Sequence, residues 1–234
     1  EAEKAMLDEL ENGNYTLENP LVKLNPYFIN PLAAVILFKT EKEVAVTVRV
    51  LGKTPEATME HTFPKATTHI LPVLGLYGGY AGDVRWHLNI PTVFDIKRAR
   101  NGNILIGTHR LLRLPYYMSG IYEMTMVGKV IKEFTIPGGY HHDQFELENG
   151  NLLILTEDLT SETVEDMCVM VDRNTGEIIK TWDYKDFLDP AKVARSGSWT
   201  EEDWFHNNAV WYDENTNSLT FSGRHIDSMC NIDF

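Results

Sequence analysis

After one helical opening, this chain is built from short apolar runs whose period is two. Residues 1 to about 12 (EAEKAMLDELEN) are charged and amphipathic and predict a short helix, stopped by the turn signal Asn12-Gly13-Asn14. From Asn25 to Tyr80 the pattern changes. Ala34-Val35-Ile36-Leu37-Phe38 and the alternating Val44-Ala45-Val46-Thr47-Val48-Arg49-Val50 predict two strands separated by charged or Gly-containing turns. Two more strands are expected around His61-Thr62-Phe63 and from Thr68 to Leu76. This stretch reads as a small all-β unit of sandwich type, and with the helix it makes a first domain of residues 1–81.

Residues 82–234 repeat. The run from Asp95 to Ile106 (DIKRARNGNILI) recurs from Asp143 to Ile154 (DQFELENGNLLI), 48 residues on. Gly128-Lys129-Val130-Ile131-Lys132-Glu133-Phe134 recurs as Gly176-Glu177-Ile178-Ile179-Lys180-Thr181-Trp182 at the same offset. A third copy starts at His206, delayed by an insertion from about Tyr184 to Asp203, and Gly82-Asp83-Val84-Arg85-Trp86 reads as one more. A period near 48 residues, with about four strands and Gly/Asn turns per copy, is the signature of a β-propeller blade. The fold class expected is therefore all-β, a small N-terminal β-sandwich followed by about three propeller blades. Three blades do not close a ring, and no strand follows Cys230-Asn231-Ile232-Asp233-Phe234 in the third. The expectation is an incomplete propeller, either a fragment or one completed by another chain or by a second copy.

Composition narrows the function. The net charge is −13, from 34 acidic and 21 basic residues, which disfavours a nucleic-acid surface. An acidic shell also repels anions at long range, so any anion site must be built locally from His, Arg and backbone donors. No apolar run approaches the roughly 18 residues of a membrane-spanning helix, and the opening residues are not a secretory signal. Cys168 and Cys230, both in strand-like runs, read as two buried free thiols, neither a disulfide framework nor a zinc site.

The repeat alignment selects the candidate chemistry. It puts Phe94, His142 and His206 in one slot, so His142 and His206 are expected to approach a common axis. Arg110 roughly matches Arg224, and Asn208, two residues beyond His206, should share its face of a strand. Imidazoles, an amide and a guanidinium suit a substrate with several anionic oxygens. His142, His206 and Arg224 are the expected catalytic set, with Asn208, His141 and Trp204 as candidate substrate contacts. A plainer reading applies to each residue alone. A His-Asp pair at a strand start can be a structural bracket repeated in every blade. The recurrence of Asp143 as Asp95 favours that role, and so does the placing of His141 on the face opposite His142. The aromatic residues Tyr140, Phe145, Trp199, Trp204, Phe205 and Trp211 read mostly as core, and Ser196–Trp204 as a loop that could cover a site.

These residues resemble a known family. Gly75-Leu76-Tyr77, Tyr140-His141-His142-Asp143, and Asp203-Trp204-Phe205-His206-Asn207-Asn208 followed by Ser222-Gly223-Arg224-His225 look like bacterial aryl-sulfate sulfotransferases. Tyr15-Thr16-Leu17-Glu18-Asn19-Pro20 and Asn25-Pro26-Tyr27 resemble that family's N-terminal domain. The resemblance implies a six-bladed propeller joined to a small sandwich, working in the periplasm or outside the cell without cofactor or metal. It implies transfer of a sulfuryl group from a phenolic sulfate ester to a phenol, without a nucleotide donor, through a sulfated histidine on a blade beyond Phe234. It matches His206, Asn208, Arg224 and His142 to residues that bind the sulfuryl group. The sandwich is expected to run straight into propeller at Tyr80-Ala81-Gly82-Asp83, earlier than the family pattern implies. Two other classes compete. One is a non-catalytic propeller that captures an anionic or aromatic ligand. The other is a metal-dependent propeller hydrolase using His142, His206, Asp143 and Asn208, against which Arg224 argues by its charge.

Overall fold

The computed structural model describes residues 1–52, 54–76 and 86–234. Residues 82–85 of the expected extra copy, the junction expected at 80–83 and Tyr77 lie outside the described residues. The chain divides into two compact units, Glu1–Ile90 with Thr125–Lys129, and Pro91–Met124 with Val130–Phe234. Among the described residues no helix is long and apolar enough to cross a membrane.

In the first unit, α1 (Ala2–Asn12) buries Met6 and Leu10, one turn apart, as its pattern requires. They pack on Leu21 of β1 (Leu21–Leu24) and on Val35 and Leu37 of β2 (Ala33–Val50). With β3 (Met59–Leu74) these strands form one antiparallel sheet in the order β1-β2-β3. A sandwich was expected here. Among the described residues the unit shows this one sheet, with the helix covering one face.

The expected strand boundaries also shift. Lys39-Thr40-Glu41-Lys42-Glu43, read as a turn, continues β2 through a register irregularity between Lys39 and Val44. The alternation from Val44 to Val50 then runs along a two-stranded ribbon with β3 whose residues are mostly exposed or half-buried. Its period marks a strand, but no core receives it.

The second unit carries the repeats. Its first sheet contains β4 (Ile96–Arg98), β5 (Ile104–Gly107), β6 (Leu111–Arg113), β7 (Tyr117–Met124) and β8 (Val130–Tyr140). β4, β5 and β7 lie in order, and β6 and β8 both pair with β7. The second contains β9 (Gln144–Glu146), β10 (Leu152–Thr156), β11 (Met167–Val171) and β12 (Ile178–Asp183) as a simple antiparallel meander. The third is the meander β13 (Asn207–Asp213), β14 (Ser218–Gly223) and β15 (Ser228–Asp233).

The sequence repeat reflects a repeated hairpin. Gly102 and Gly150 both take φ +86, where a side chain would be strained. In each loop the preceding Asn accepts a bond of 3.0 Å from the amide two residues on, Asn101 from Asn103 and Asn149 from Asn151. The third copy lacks the glycine, and Asn217 takes the left-handed turn position at φ +49.

Burial on both faces explains the continuous apolar run of β10. Leu152 and Ile154 pack with Leu105, Ile121 and Phe134 of the first sheet. Leu153 and Leu155 pack with Trp204, Phe205, Leu219 and Phe221 around the third. The three sheets of this unit thus share two apolar cores, with β10 between them. Both cysteines are free, Cys168 buried in β11 and Cys230 half-buried in β15.

Candidate functional site

The slot shared by His142 and His206 is a backbone conformation. His142 sits just before β9 at φ +52, and His206 just before β13 at φ +56. Neither is glycine, so each carries the steric strain of the left-handed region. A third such residue, Glu165 in the β10–β11 loop, has φ +55. Backbone bonds to other elements hold all three in place, two of them between sheets and the third within the β13–β14 pair. The His142 carbonyl accepts from the Asp95 amide at 3.2 Å, the Glu165 carbonyl from Asn207 at 3.0 Å, and the His206 carbonyl from Arg224 at 3.1 Å. With their backbones turned this way, the three side chains meet.

The rings of His142 and His206 cross edge to face with centroids 5.2 Å apart. The Nδ1 of His206 faces two carboxylates, Asp203 at 2.7 Å and Glu165 at 3.1 Å. Its Nε2 lies 3.4 Å from a guanidinium nitrogen of Arg224, an exposed side chain. His225 stacks on His206 at 4.4 Å, and its Nδ1 donates to the Asp203 carbonyl at 2.6 Å. Tyr116 and Tyr117 donate to Glu165 Oε1 at 2.6 and 3.0 Å. Glu165 Oε2 is buried and without a well-formed hydrogen bond. Phe94 and Tyr116 flank the His142 ring at 5.0 and 5.9 Å.

These surroundings push the two imidazoles apart electrostatically. Burial, then the positive fields of His206 and Arg224, hold the His142 pKa down to about 4, against some opposition from Asp203. Burial also works against a charge on His206, but the hydrogen bond to Asp203 and the fields of Glu165 and Asp203 outweigh it and raise its pKa. Burial raises the Glu165 pKa, while the Tyr116 hydroxyl and His206 pull it back. The cluster thus pairs an imidazole that resists protonation with one whose proton affinity is raised, beside a permanent guanidinium charge.

The expected set is brought together only in part. His142, His206 and Arg224 meet; Arg110 does not, being paired with Glu133 and bonded to the Tyr122 hydroxyl. His206 precedes the strand and the register shifts between Asn207 and Ala209, so the alternation that put Asn208 on the face of His206 does not apply here. Among the described residues the amide of Asn208 has no hydrogen-bond partner, and it is half-buried. Trp204 is no substrate contact. It is fully buried, and its indole N–H donates to Asp166 at 2.8 Å. His141 is also fully buried, with Nε2 at 3.1 Å from the Thr156 carbonyl, so it reaches no ligand either.

Asp143, expected in a metal-binding alternative, accepts from Lys97, from the Gln144 amide and from the Val210 amide. It is the structural bracket that its recurrence at Asp95 suggests, and it touches neither imidazole. Two other groupings bring ligand-type atoms within 4.8 Å, His141 with His142 and Glu165, and Asp203 with His206 and His225. In both, the nitrogens already face partners inside the cluster. The segment expected to cover the site is pinned, Ser196 to His225 and Glu202 to Val164 through the backbone, and it delivers Asp203 to His206.

Comparison with known proteins follows the two parts of the chain. The family model described as Arylsulfotransferase (ASST) matches residues 75–234, and one described as Arylsulfotransferase Ig-like domain matches residues 21–92. An arylsulfate sulfotransferase AssT from Lelliottia amnigena is 22% identical over 197 residues, and one from Escherichia coli O6:H1 is 22% identical over 204. Each alignment covers 62% of this chain and 32% of the relative, so the chain spans about a third of the length of these curated relatives. A crystal structure of a protein of unknown function from Bacteroides caccae aligns with 85% of this chain and 74% of its own, at 13% identity. Its TM-score of 0.38 decides nothing about the fold.

Two measurements check this geometry. His142→Gly and His142→Ala both remove the imidazole, but only alanine keeps a Cβ at φ +52. The glycine variant should be more stable by about 1 kcal/mol in urea unfolding; an alanine variant of equal or greater stability contradicts a strained site. In an NMR titration His142 should stay neutral until the pH approaches 4, whereas His206 should hold its proton to a higher pH than an ordinary histidine. His142 charging before His206 would contradict the electrostatics.

Proposed function

The chain belongs to the arylsulfotransferase family, and on that premise we propose that it forms part of an enzyme moving a sulfuryl group from a phenolic sulfate ester to a phenol. The donor is an aryl sulfate, with no nucleotide and no cofactor. The observation that carries this reading is the meeting of His142 and His206, both at strained backbone positions, with the guanidinium of Arg224. A transferring sulfuryl group spreads negative charge over three oxygens, and the departing phenolate gains charge as its bond breaks. The proton affinity of His206 is raised and the Arg224 guanidinium lies 3.4 Å from its Nε2, so both side chains stand where they can offer N–H groups to that charge. Donors held in place before the reaction cost no reorganisation during it. The unpaired amide of Asn208 remains open to a ligand oxygen.

The three sheets of the second unit are read as blades of a six-bladed propeller. On the same reading, the sulfated histidine of a two-step mechanism belongs to a blade after residue 234. Work in the periplasm or outside the cell belongs to the same reading and rests on the same resemblance.

The test is a nucleotide-free assay of the full-length protein with an aryl sulfate donor and a phenol acceptor. Transfer is expected, and His206→Ala or Arg224→Ala should each lower kcat by about 10²–10³-fold. Wild-type turnover in His206→Ala would remove the site assignment. Tight stoichiometric binding of the aryl sulfate without any transfer would replace the enzyme by a ligand-binding module.

A further inference from the structure

His141 is sealed beneath the cluster, and each of its ring nitrogens meets one partner. Nε2 lies 3.1 Å from the carbonyl oxygen of Thr156, an atom with no proton to give. Nε2 must therefore carry a proton and donate it. A second proton on this ring is strongly disfavoured, since complete burial and then the neighbouring His142 push its pKa down to about 3. Nδ1 of His141 is thus a bare lone pair. It lies 3.1 Å from Nδ1 of His142, a contact that two lone pairs would not make. The bond forms only if His142 carries its proton on Nδ1 and donates it.

That assignment fixes the other edge of His142. A neutral imidazole has one N–H, so the lone pair of His142 stands on Nε2. Among the described residues this nitrogen has no hydrogen-bond partner, and the side chain is 22% exposed. Glu165 Oε2, at 3.7 Å from His142 Nδ1, is too distant to take the proton from His141, although it lies 3.1 Å from His206. It is close enough to face a positive charge that appears on His142 later. The other charged groups around this ring are His206 and Arg224, which disfavour its protonation at rest, and Asp203, which favours it.

Resting on the arylsulfotransferase reading of the site, we propose that His141 is a positioning residue that fixes His142 as the Nδ1–H tautomer, making Nε2 of His142 the proton acceptor for the incoming phenol. His142 then has no N–H to offer the sulfuryl oxygens, and that work falls to His206 and Arg224. In the second half-reaction the phenol oxygen forms its bond to sulfur while its O–H bond breaks. The proton passes to His142 Nε2, and the resulting imidazolium faces Glu165. The bond from sulfur to the sulfated nitrogen breaks, and its electron pair returns to that nitrogen. The aryl sulfate leaves, and His142 gives its proton to solvent. The division matches the usual arrangement in which one group holds the base's distal nitrogen so that its near nitrogen can act.

The direct test needs no substrate, so it can fail while sulfuryl transfer stands. In long-range ¹⁵N–¹H spectra of the labelled full-length protein at pH 7, His142 should show a protonated Nδ1 and an unprotonated Nε2. His141 should show the reverse. A proton on Nε2 of neutral His142, or a doubly protonated His142, overturns the proposal. Kinetics supply a second readout. In His141→Asn the amide oxygen stands where Nδ1 stood, so kcat should stay within a few-fold of wild type. His141→Leu removes the acceptor and should lower kcat by about tenfold or more, with the KM for the aryl sulfate little changed. Equal losses in the two variants, or a loss confined to KM, would overturn the role. If the leucine variant does not fold, the wild-type tautomer decides.

Discussion

Backbone held in the left-handed region at three non-glycine residues is the constraint on which the site depends. His142, Glu165 and His206 lie between φ +52 and +56, in three different connections of the second unit. Each such residue costs on the order of 1–3 kcal/mol, so it persists only where the surroundings over-determine it. Here the surroundings are specific: each of the three carbonyls accepts an amide from another element. Asp143 reinforces the same seam by joining the start of β9 to Lys97 and to the Val210 amide of β13. The apolar cores on either side of β10 supply the rigidity against which this strain is held.

The electrostatics follow from that placement. Two imidazoles 5.2 Å apart in a poorly solvated setting do not both charge readily. The carboxylates decide which one does. Asp203 and Glu165 lie against Nδ1 of His206, whereas the Nδ1 of His142 faces the lone pair of a buried histidine. A donor and an acceptor therefore arise from the same residue type a few ångströms apart. Environments that push two titratable groups in opposite directions are how one site performs both halves of acid–base chemistry.

Much of the second unit was legible in the sequence because its hairpins need particular residues. The Asn-Gly-Asn turns fixed the repeat, and the repeat put His142 and His206 in one slot before any geometry was known. Alternation failed where the backbone departed from a strand. His206 is left-handed and a register shift follows it, so counting two residues to Asn208 did not predict a shared face. Trp204 stood within a motif that looked functional, but its size and its bond to Asp166 seat it in the core. Glu165 and Tyr116 carried no signal, and His225 stood within the resembling motif without a role. The 48-residue offset sets Glu165 against Tyr117, an unrelated side chain, and Asp203 arrives from an insertion with no counterpart in the other copies. In the first unit, alternation marked the ribbon of β2 and β3 correctly as strand, yet said nothing of whether a second layer would cover it.

The central claim is that His206 and Arg224 hold the sulfuryl end of an aryl sulfate, with the His142 ring beside it. Its most direct test is to add phenyl sulfate to the labelled full-length protein and follow histidine ring and arginine side-chain signals by NMR. The account predicts saturable shifts at His206, Arg224 and His142, with the core signal of Trp204 unmoved. Shifts that leave these three unchanged and gather elsewhere would contradict it.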